Sequence, residues 1–283
     1  MFARLGGHPN LTRLFAIVRS GERVTCLVTE LAPLGSLDGV LKQLEENGSS
    51  ASDNVLMESA MQLCDGMLHL AEKKIVHRDF ALRNVLVFAF NPSDRYGVRV
   101  KVCDYGMAKV GRYVQLTTSS VGDGLPYRWM SPEAIQRHSW SVKSDVWAFG
   151  VTMWEMWTHA MIPYTYVQSD EQVGRLVCES GERLPQPDAC PEPVFAVMQE
   201  CWVTLAKDRP DFVRLRLRLQ DAFRELSSPK TGCVICLEAG ATAVLVPCGH
   251  RCVCASHAPV LVGGTCPICR SQVRDFLGRV YDP

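Results

Sequence analysis

The run His77-Arg78-Asp79-Phe80-Ala81-Leu82-Arg83-Asn84 holds a carboxylate and, five residues on, an amide; a second carboxylate opens Asp104-Tyr105-Gly106. Asp79 is a candidate catalytic base, placed to orient a substrate hydroxyl and accept its proton. Asn84 and Asp104 are candidate magnesium ligands. Hard oxygen donors suit Mg²⁺, which neutralises charge on a transferred phosphoryl group, so the order and spacing point to phosphoryl transfer from ATP. A second chemistry lies further along. Cys233-x2-Cys236, Cys248-x-His250, Cys254-x2-His257 and Cys266-x2-Cys269 form four ligand pairs in one short module. Each pair lets a single turn present two ligands to one ion, and tetrahedral Zn²⁺ needs two pairs, so eight ligands make two closed sites. A segment this short has little core without its metal.

At 283 residues, roughly two domains are expected. A formal net charge of zero gives no global field to draw nucleic acid or an anionic membrane. No apolar run reaches the length of a membrane span, and Met1-Phe2-Ala3-Arg4 does not open a signal peptide. A soluble, cytoplasmic protein is the expectation. Of 13 cysteines, seven lie between Cys233 and Cys269, while Cys26, Cys64, Cys103, Cys178, Cys190 and Cys201 are scattered among apolar neighbours. In a reducing compartment the paired cluster reads as metal ligands and the scattered thiols as small buried hydrophobes.

The elements that must position these groups follow from periodicity. Leu11 to Val18 and Val24 to Thr29 are β-rich runs around Ser20-Gly21-Glu22, a hairpin signal. After a polar loop ending in Ser52-Asp53-Asn54, Val55, Ala60, Leu63, Met67 and Leu70 recur at helical spacing, so a helix is expected to about Lys74. Residues 77–84 then form the loop leaving that helix. Val85 to Phe90 and Val98 to Cys103 read as strands joined by Asn91-Pro92-Ser93-Asp94, which puts Asp104 just past a strand end. Ser144 to Trp157 is nearly all apolar and is expected to be a helix buried on every side. Arg214, Arg216 and Arg218 alternate with leucines as in a strand, but Phe212, Leu215, Leu219 and Phe223 also fit a helix, which is preferred.

His-Arg-Asp alone is a weak signal. Here Pro126-Tyr127-Arg128-Trp129-Met130-Ser131-Pro132-Glu133, Ser144-Asp145-Val146-Trp147-Ala148-Phe149-Gly150, Cys201-Trp202 and Arg209-Pro210 follow it in order. With that set the chain resembles the protein kinase family, its tyrosine kinase branch most closely, over roughly residues 8 to 226. The resemblance implies an α+β fold, a mostly helical large lobe with the remnant of a small lobe. It implies Thr29 as gatekeeper, with the backbone of Glu30 and Ala32 facing adenine. Asp79 is implied as catalytic base with Arg83 as catalytic partner, and Asn84 and Asp104 as holders of Mg²⁺ and ATP. Glu133 would pair with Arg209, and Asp145 would tie down the catalytic loop. Ala81 and Arg83 follow the tyrosine-kinase pattern, so protein tyrosines are the implied substrates. Tyr113, Thr117, Thr118, Ser119 and Ser120 fall in the activation segment, where a phosphate would pair with Arg78. Tyr105 and Ser131 depart mildly from the family's usual residues. His8-Pro9-Asn10 matches the segment after the regulatory helix, so the glycine-rich loop and strand lysine are not in this sequence; a fragment of a longer product is the preferred expectation, a catalytically impaired scaffold recruiting clients to a ligase the alternative.

The cysteine module resembles a RING finger of the compact type seen in inhibitor-of-apoptosis proteins. In that cross-braced pattern Cys233, Cys236, Cys254 and His257 would hold one Zn²⁺, and Cys248, His250, Cys266 and Cys269 the other. His257 stands where cysteine is more usual, and Cys252 is spare. The resemblance implies a ubiquitin ligase: Ile235 and Pro267 would contact a ubiquitin-conjugating enzyme, and Arg270 would bridge it to ubiquitin. The apolar tail Phe276 to Tyr281 is of the kind that completes a RING homodimer. The expected organisation is a kinase-like domain at 1–226, a linker at 227–232, a RING at 233–270 and a tail at 271–283.

Overall fold

The computed structural model describes residues 6–21, 23–105, 107–111, 113–115, 125–227, 233–236, 243–250 and 252–278. They fall into two compact units, 1–223 and 224–283. The division lies within the last helix of the first unit, Phe212–Ser227, where a helix is preferred over the strand that the Arg/Leu alternation suggests. The helical period wins because Phe212, Leu215, Leu219 and Ala222 bury one stripe while Arg216 and Arg218 reach Asp65 and Glu200. Beyond Ser227, the expected linker lies outside the described residues.

In the first unit, Leu14–Ser20 and Arg23–Thr29 pair antiparallel around Gly21, whose φ of 61° suits the tight turn. The hairpin starts three residues later than the β-rich run suggested. Leu11 is diverted: it is buried and bridges Val102 in parallel, with Thr12 N–H donating to Val102 O at 2.9 Å. A short helix, Leu37–Glu46, escaped the sequence reading because only Leu37 and Leu41 are buried on it. The long helix Asp53–Glu72 ends two residues early, where Lys74 turns left-handed at φ 57°. Ser52 occupies its N-cap position without a side-chain cap bond; Asp53 instead accepts the Trp157 indole N–H at 2.9 Å.

That bond joins the long helix to Val142–Trp157, every residue of which is buried from Ser144 onward. A capping box starts this buried helix: Ser141 Oγ accepts from Lys143 N–H, and Ser144 Oγ accepts from Ser141 N–H. Gly150 permits close approach of the helix Glu192–Cys201, since a Cβ there would sit 2.7 Å from Cys201 Cβ. Phe149 stacks on Phe80 and meets Phe212 edge-on, both at 5.9 Å between centroids. The core therefore runs from the 77–84 loop through the buried helix to the last helix of this unit. Among the described residues no helix is long and apolar enough to cross a membrane.

The second unit is small. Val244–Val246 and Asp275–Leu277 form a two-stranded antiparallel sheet, Ala258–Leu261 is one helical turn, and Ala243, Leu245, Val253, Ala258 and Val273 are buried. Phe276, from the apolar tail, packs on that cluster as part of the sheet; 279–283 lie outside the described residues.

Candidate active site and metal centres

The loop 77–84 is fixed from below and behind. Asp145, buried at the start of the buried helix, accepts the backbone N–H of His77 at 2.9 Å and of Arg78 at 3.0 Å. Burial pushes its carboxyl up to about 7, against those two bonds and the nearby Arg78 guanidinium. The bonds also hold Arg78 at φ 73°, a left-handed backbone that a side-chain-bearing residue adopts only under constraint. His77 is fully buried, and burial drives its pKa down, so the ring is neutral. Its Nε2–H donates to Cys103 O at 3.0 Å, while Nδ1 faces the Asp79 N–H at 3.4 Å.

The hairpin Val85–Ala89/Arg99–Val102 brings the metal-side groups together. Val85 pairs with Val102, and Cys103 N–H donates to Asn84 O at 3.0 Å, so Asn84 and Asp104 flank the same end of the sheet. Asp104 also has positive φ, 54°. Asn84 Nδ2 donates to Asp79 O at 2.7 Å and to Asp79 Oδ2 at 3.0 Å, which turns its amide oxygen away from those bonds. Arg83 forms an ion pair with Asp79 Oδ1. Asp79 is thus gripped through both carboxylate oxygens, each with a lone pair left for a hydroxyl proton. Asn84 Oδ1 and the Asp104 carboxylate are hard donors of the kind Mg²⁺ takes.

Two contributors were not assigned roles from sequence. Trp129 carries the Arg83 guanidinium 4.4 Å above its ring, and its indole N–H donates to Glu155 Oε2 at 2.9 Å. The same oxygen accepts Leu82 N–H at 3.0 Å, joining the 77–84 loop to the segment 126–133. Burial pushes the Glu155 carboxyl up to about 7 in spite of these donors. The signal was available: Glu155 is the one acid past the first turn of a largely apolar helix whose other acid is Asp145. Arg128, in the same loop as Trp129, ties it down through Asp170 and the carbonyls of Pro163 and Tyr164. Glu133 and Arg209 meet in a bidentate pair, both bonds 2.8 Å, as expected.

Thr29, Glu30 and Ala32 follow one another off the end of the first hairpin, where Glu30 N–H donates to Arg13 O. Glu30 Oε1 accepts Lys101 Nζ at 2.6 Å, and with that ion pair its pKa falls despite burial. A cavity of about 810 Å³ beside Glu30, Lys101 and Tyr105 is not lined by Asp79, Asn84 or Asp104. Tyr113 is 77% exposed on the strand Tyr113–Gln115; Gly106, Thr117, Thr118, Ser119 and Ser120 lie outside the described residues. Arg78 stacks on Trp140 and donates to Met107 O, its buried Nε without a partner among the described residues.

In the second unit the ligand atoms of Cys233, Cys236, Cys254 and His257 lie within 4.8 Å of one another, as do those of Cys248, His250, Cys266 and Cys269. These are the two groups of the cross-braced expectation; Cys252 is buried and belongs to neither. His257 offers Nδ1, 3.1 Å from Cys254 Sγ and 3.6 Å from Cys233 Sγ. Burial raises the Cys233 thiol, but backbone N–H groups of Cys236, Cys254 and Ile235 outweigh it and bring the pKa down to about 6. Hydrogen bonds from Ser271 bring Cys269 down to about 6 as well. Four thiolate or imidazole donors converging on a point fit tetrahedral zinc. Ile235, Pro267 and Arg270 are all exposed.

Comparison with known proteins agrees with this geometry. A family model described as protein tyrosine and serine/threonine kinase matches residues 1–219, and a model of the zinc finger, C3HC4 type (RING finger), matches 229–276. The epidermal growth factor receptor of Apis mellifera is 40% identical over 209 residues, 74% of this chain and 15% of that protein. Human tyrosine-protein kinase FRK is 35% identical over 223 residues, 78% of this chain and 42% of that protein. Human tyrosine-protein kinase Srms is 37% identical over 217 residues, again 42% of its length. The chain spans less than half the length of these curated relatives. It belongs to the protein tyrosine and serine/threonine kinase family, and carries a RING-type zinc finger beside the kinase domain.

Proposed function

We propose that the kinase domain transfers the γ-phosphate of ATP to protein hydroxyls, tyrosine in particular, and that the RING module acts as a ubiquitin ligase. The observation that carries the first part is the double grip on Asp79 by Arg83 and Asn84, at the sheet end that also presents Asp104. Asp79 orients the substrate hydroxyl and takes its proton as the hydroxyl oxygen bonds to the γ-phosphorus and ADP leaves. Arg83 holds the base and, through its stack on Trp129, sets it against the substrate-facing loop. Asn84 and Asp104 would hold Mg²⁺, which neutralises phosphate charge. Thr29 and the Glu30 and Ala32 backbone would receive adenine. The kinase part is assigned to 1–226, the RING to 233–270, with 227–232 as linker and 271–283 as tail.

In the RING, the eight cysteine and histidine ligands would hold two Zn²⁺ as structural ions. Exposed Ile235 and Pro267 offer an apolar contact to a ubiquitin-conjugating enzyme, and Arg270 a fork of donors to that enzyme and its ubiquitin. Phosphotransfer from ATP to a tyrosine peptide, compared with Asp79→Asn, tests the kinase reading. A loss of about 10²- to 10⁴-fold is expected for the variant. No transfer by either protein, with ubiquitin discharge from a loaded conjugating enzyme intact, would leave a scaffold that brings clients to a ligase.

A further inference from the structure

The hairpin Val85–Ala89/Arg99–Val102 has a second end that the proposed reaction does not use. There the chain closes a tight turn: Asn91 Oδ1 accepts Ser93 N–H and Asp94 Oδ1 accepts Tyr96 N–H, both at 3.0 Å. Gly97 is required for this shape, because a Cβ would lie 2.7 Å from Asn91 Cβ. The turn presents Tyr96 at 83% exposure, above Tyr113 at 77% and Tyr166 at 60%.

A cation is already in place beside it. Arg95 Nη2 donates to Tyr96 Oη at 3.0 Å. The same guanidinium lies 4.7 Å from the centroid of the Tyr96 ring and 4.7 Å from that of Phe223. Phe223 belongs to the penultimate turn of the last helix, so Arg95 pins that helix end to the hairpin turn. Tyr96 and Arg99 also line one groove, with Gln62 and Asn10. Tyr166 contrasts with this setting. Its hydroxyl donates to the Glu182 carboxylate at 3.0 Å, so a phosphate there would face an acid.

We propose that Tyr96 is a phosphorylation site for a tyrosine kinase acting in trans, and that its phosphate draws Arg95 off Phe223 and loosens the last helix. In the transfer the phenol gives its proton to the acting kinase's base. An O–P bond forms from Oη to the γ-phosphorus of ATP, and the bond from that phosphorus to the ADP oxygen breaks, ADP leaving with the electron pair. The phosphate then offers Arg95 charge-assisted bonds at the oxygen it already touches, which outcompete a contact with an uncharged ring.

The test is to incubate the full chain with Mg·ATP and an active exogenous tyrosine kinase domain, map the sites by mass spectrometry, and follow hydrogen exchange. Using an exogenous kinase separates this proposal from the activity of the chain itself. Phosphate on Tyr96 is expected, with exchange across Leu219–Phe223 about threefold faster. Arg95→Ala should reproduce the faster exchange without phosphate. Tyr96→Phe keeps the ring and should show neither modification nor faster exchange. Label confined to Tyr113 and Tyr166, or phosphate on Tyr96 with exchange at Leu219–Phe223 unchanged, overturns the proposal.

Discussion

In the first unit Cys64, Cys190 and Cys201 are buried, and burial pushes their thiols upward, Cys190 to about 12. In the second, Cys233 and Cys269 are drawn down to about 6 by hydrogen-bond donors aimed at sulfur. One residue type thus serves as a small hydrophobe at these three positions of one unit, where Cys26 by contrast is exposed rather than buried, and as a ligand in the other. The difference follows from size. The first unit has enough chain to bury whole helices around an aromatic ladder, so its thiols need no partner. Among its described residues the second buries five besides cysteine, too few to fold by burial alone.

Removing metal should separate the units most sharply. A strong chelator is expected to abolish the cooperative unfolding of the second unit, a loss on the order of 10 kcal/mol, while the first keeps its own transition in calorimetry. Acidification toward pH 5 should act in the same direction as chelation, because protons compete with metal for thiolates. Two transitions that both survive chelation would erase the contrast.

Breaking the first unit takes a polar change rather than metal loss. Arg209→Ala leaves Glu133 without its bidentate partner and opens the space under Trp147, which the guanidinium also covers. A cost of about 3–5 kcal/mol is expected in the first transition and none in the second. Equal shifts in both would show that the units unfold together.

The smallest effect concerns pH. Glu155 binds its proton more tightly folded, with a pKa of about 7, than unfolded, near 4.5. The stability that this proton confers is complete below pH 4.5 and is lost as pH rises through 7. Relative to Glu155→Gln, the wild-type first unit should therefore lose at most about 3 kcal/mol between pH 4.5 and 7. The two units would then respond to rising pH with opposite sign. A difference between wild type and variant that stays flat with pH counts against a protonated Glu155.

Much of this was readable in the sequence, for reasons that differ by residue. Asp79, Asn84 and Asp104 could be singled out because phosphoryl transfer, the reaction proposed here, asks for a carboxylate and an amide on one loop and a carboxylate at a strand end, and the structure brings those positions to one end of the hairpin. The zinc pairs could be too, because short spacing is itself the geometry. Glu155 and Trp129 were harder. Their roles rest on a hydrogen bond across 26 residues, and no local pattern encodes which indole an isolated buried acid will meet. The helix Leu37–Glu46 was missed because its two buried leucines are too few to set a period. Leu11 was misassigned to a strand because β propensity is the same whether a residue pairs with its neighbour or with Val102, 91 positions away.

The two ligand groups of the second unit are interleaved along the chain, 233 and 236 closing with 254 and 257 while 248 and 250 close with 266 and 269. This order has a consequence for synthesis. A chain emerging from the ribosome holds no complete group until His257 is out, and the second waits for Cys269. Each closed ring encloses half of the other's ligands, so the rings are linked like two hooks rather than two beads. A messenger truncated between the His257 and Cys266 codons yields at best one ring with the other's severed half inside it, and quality control would meet an open thiol-rich segment instead of a smaller domain.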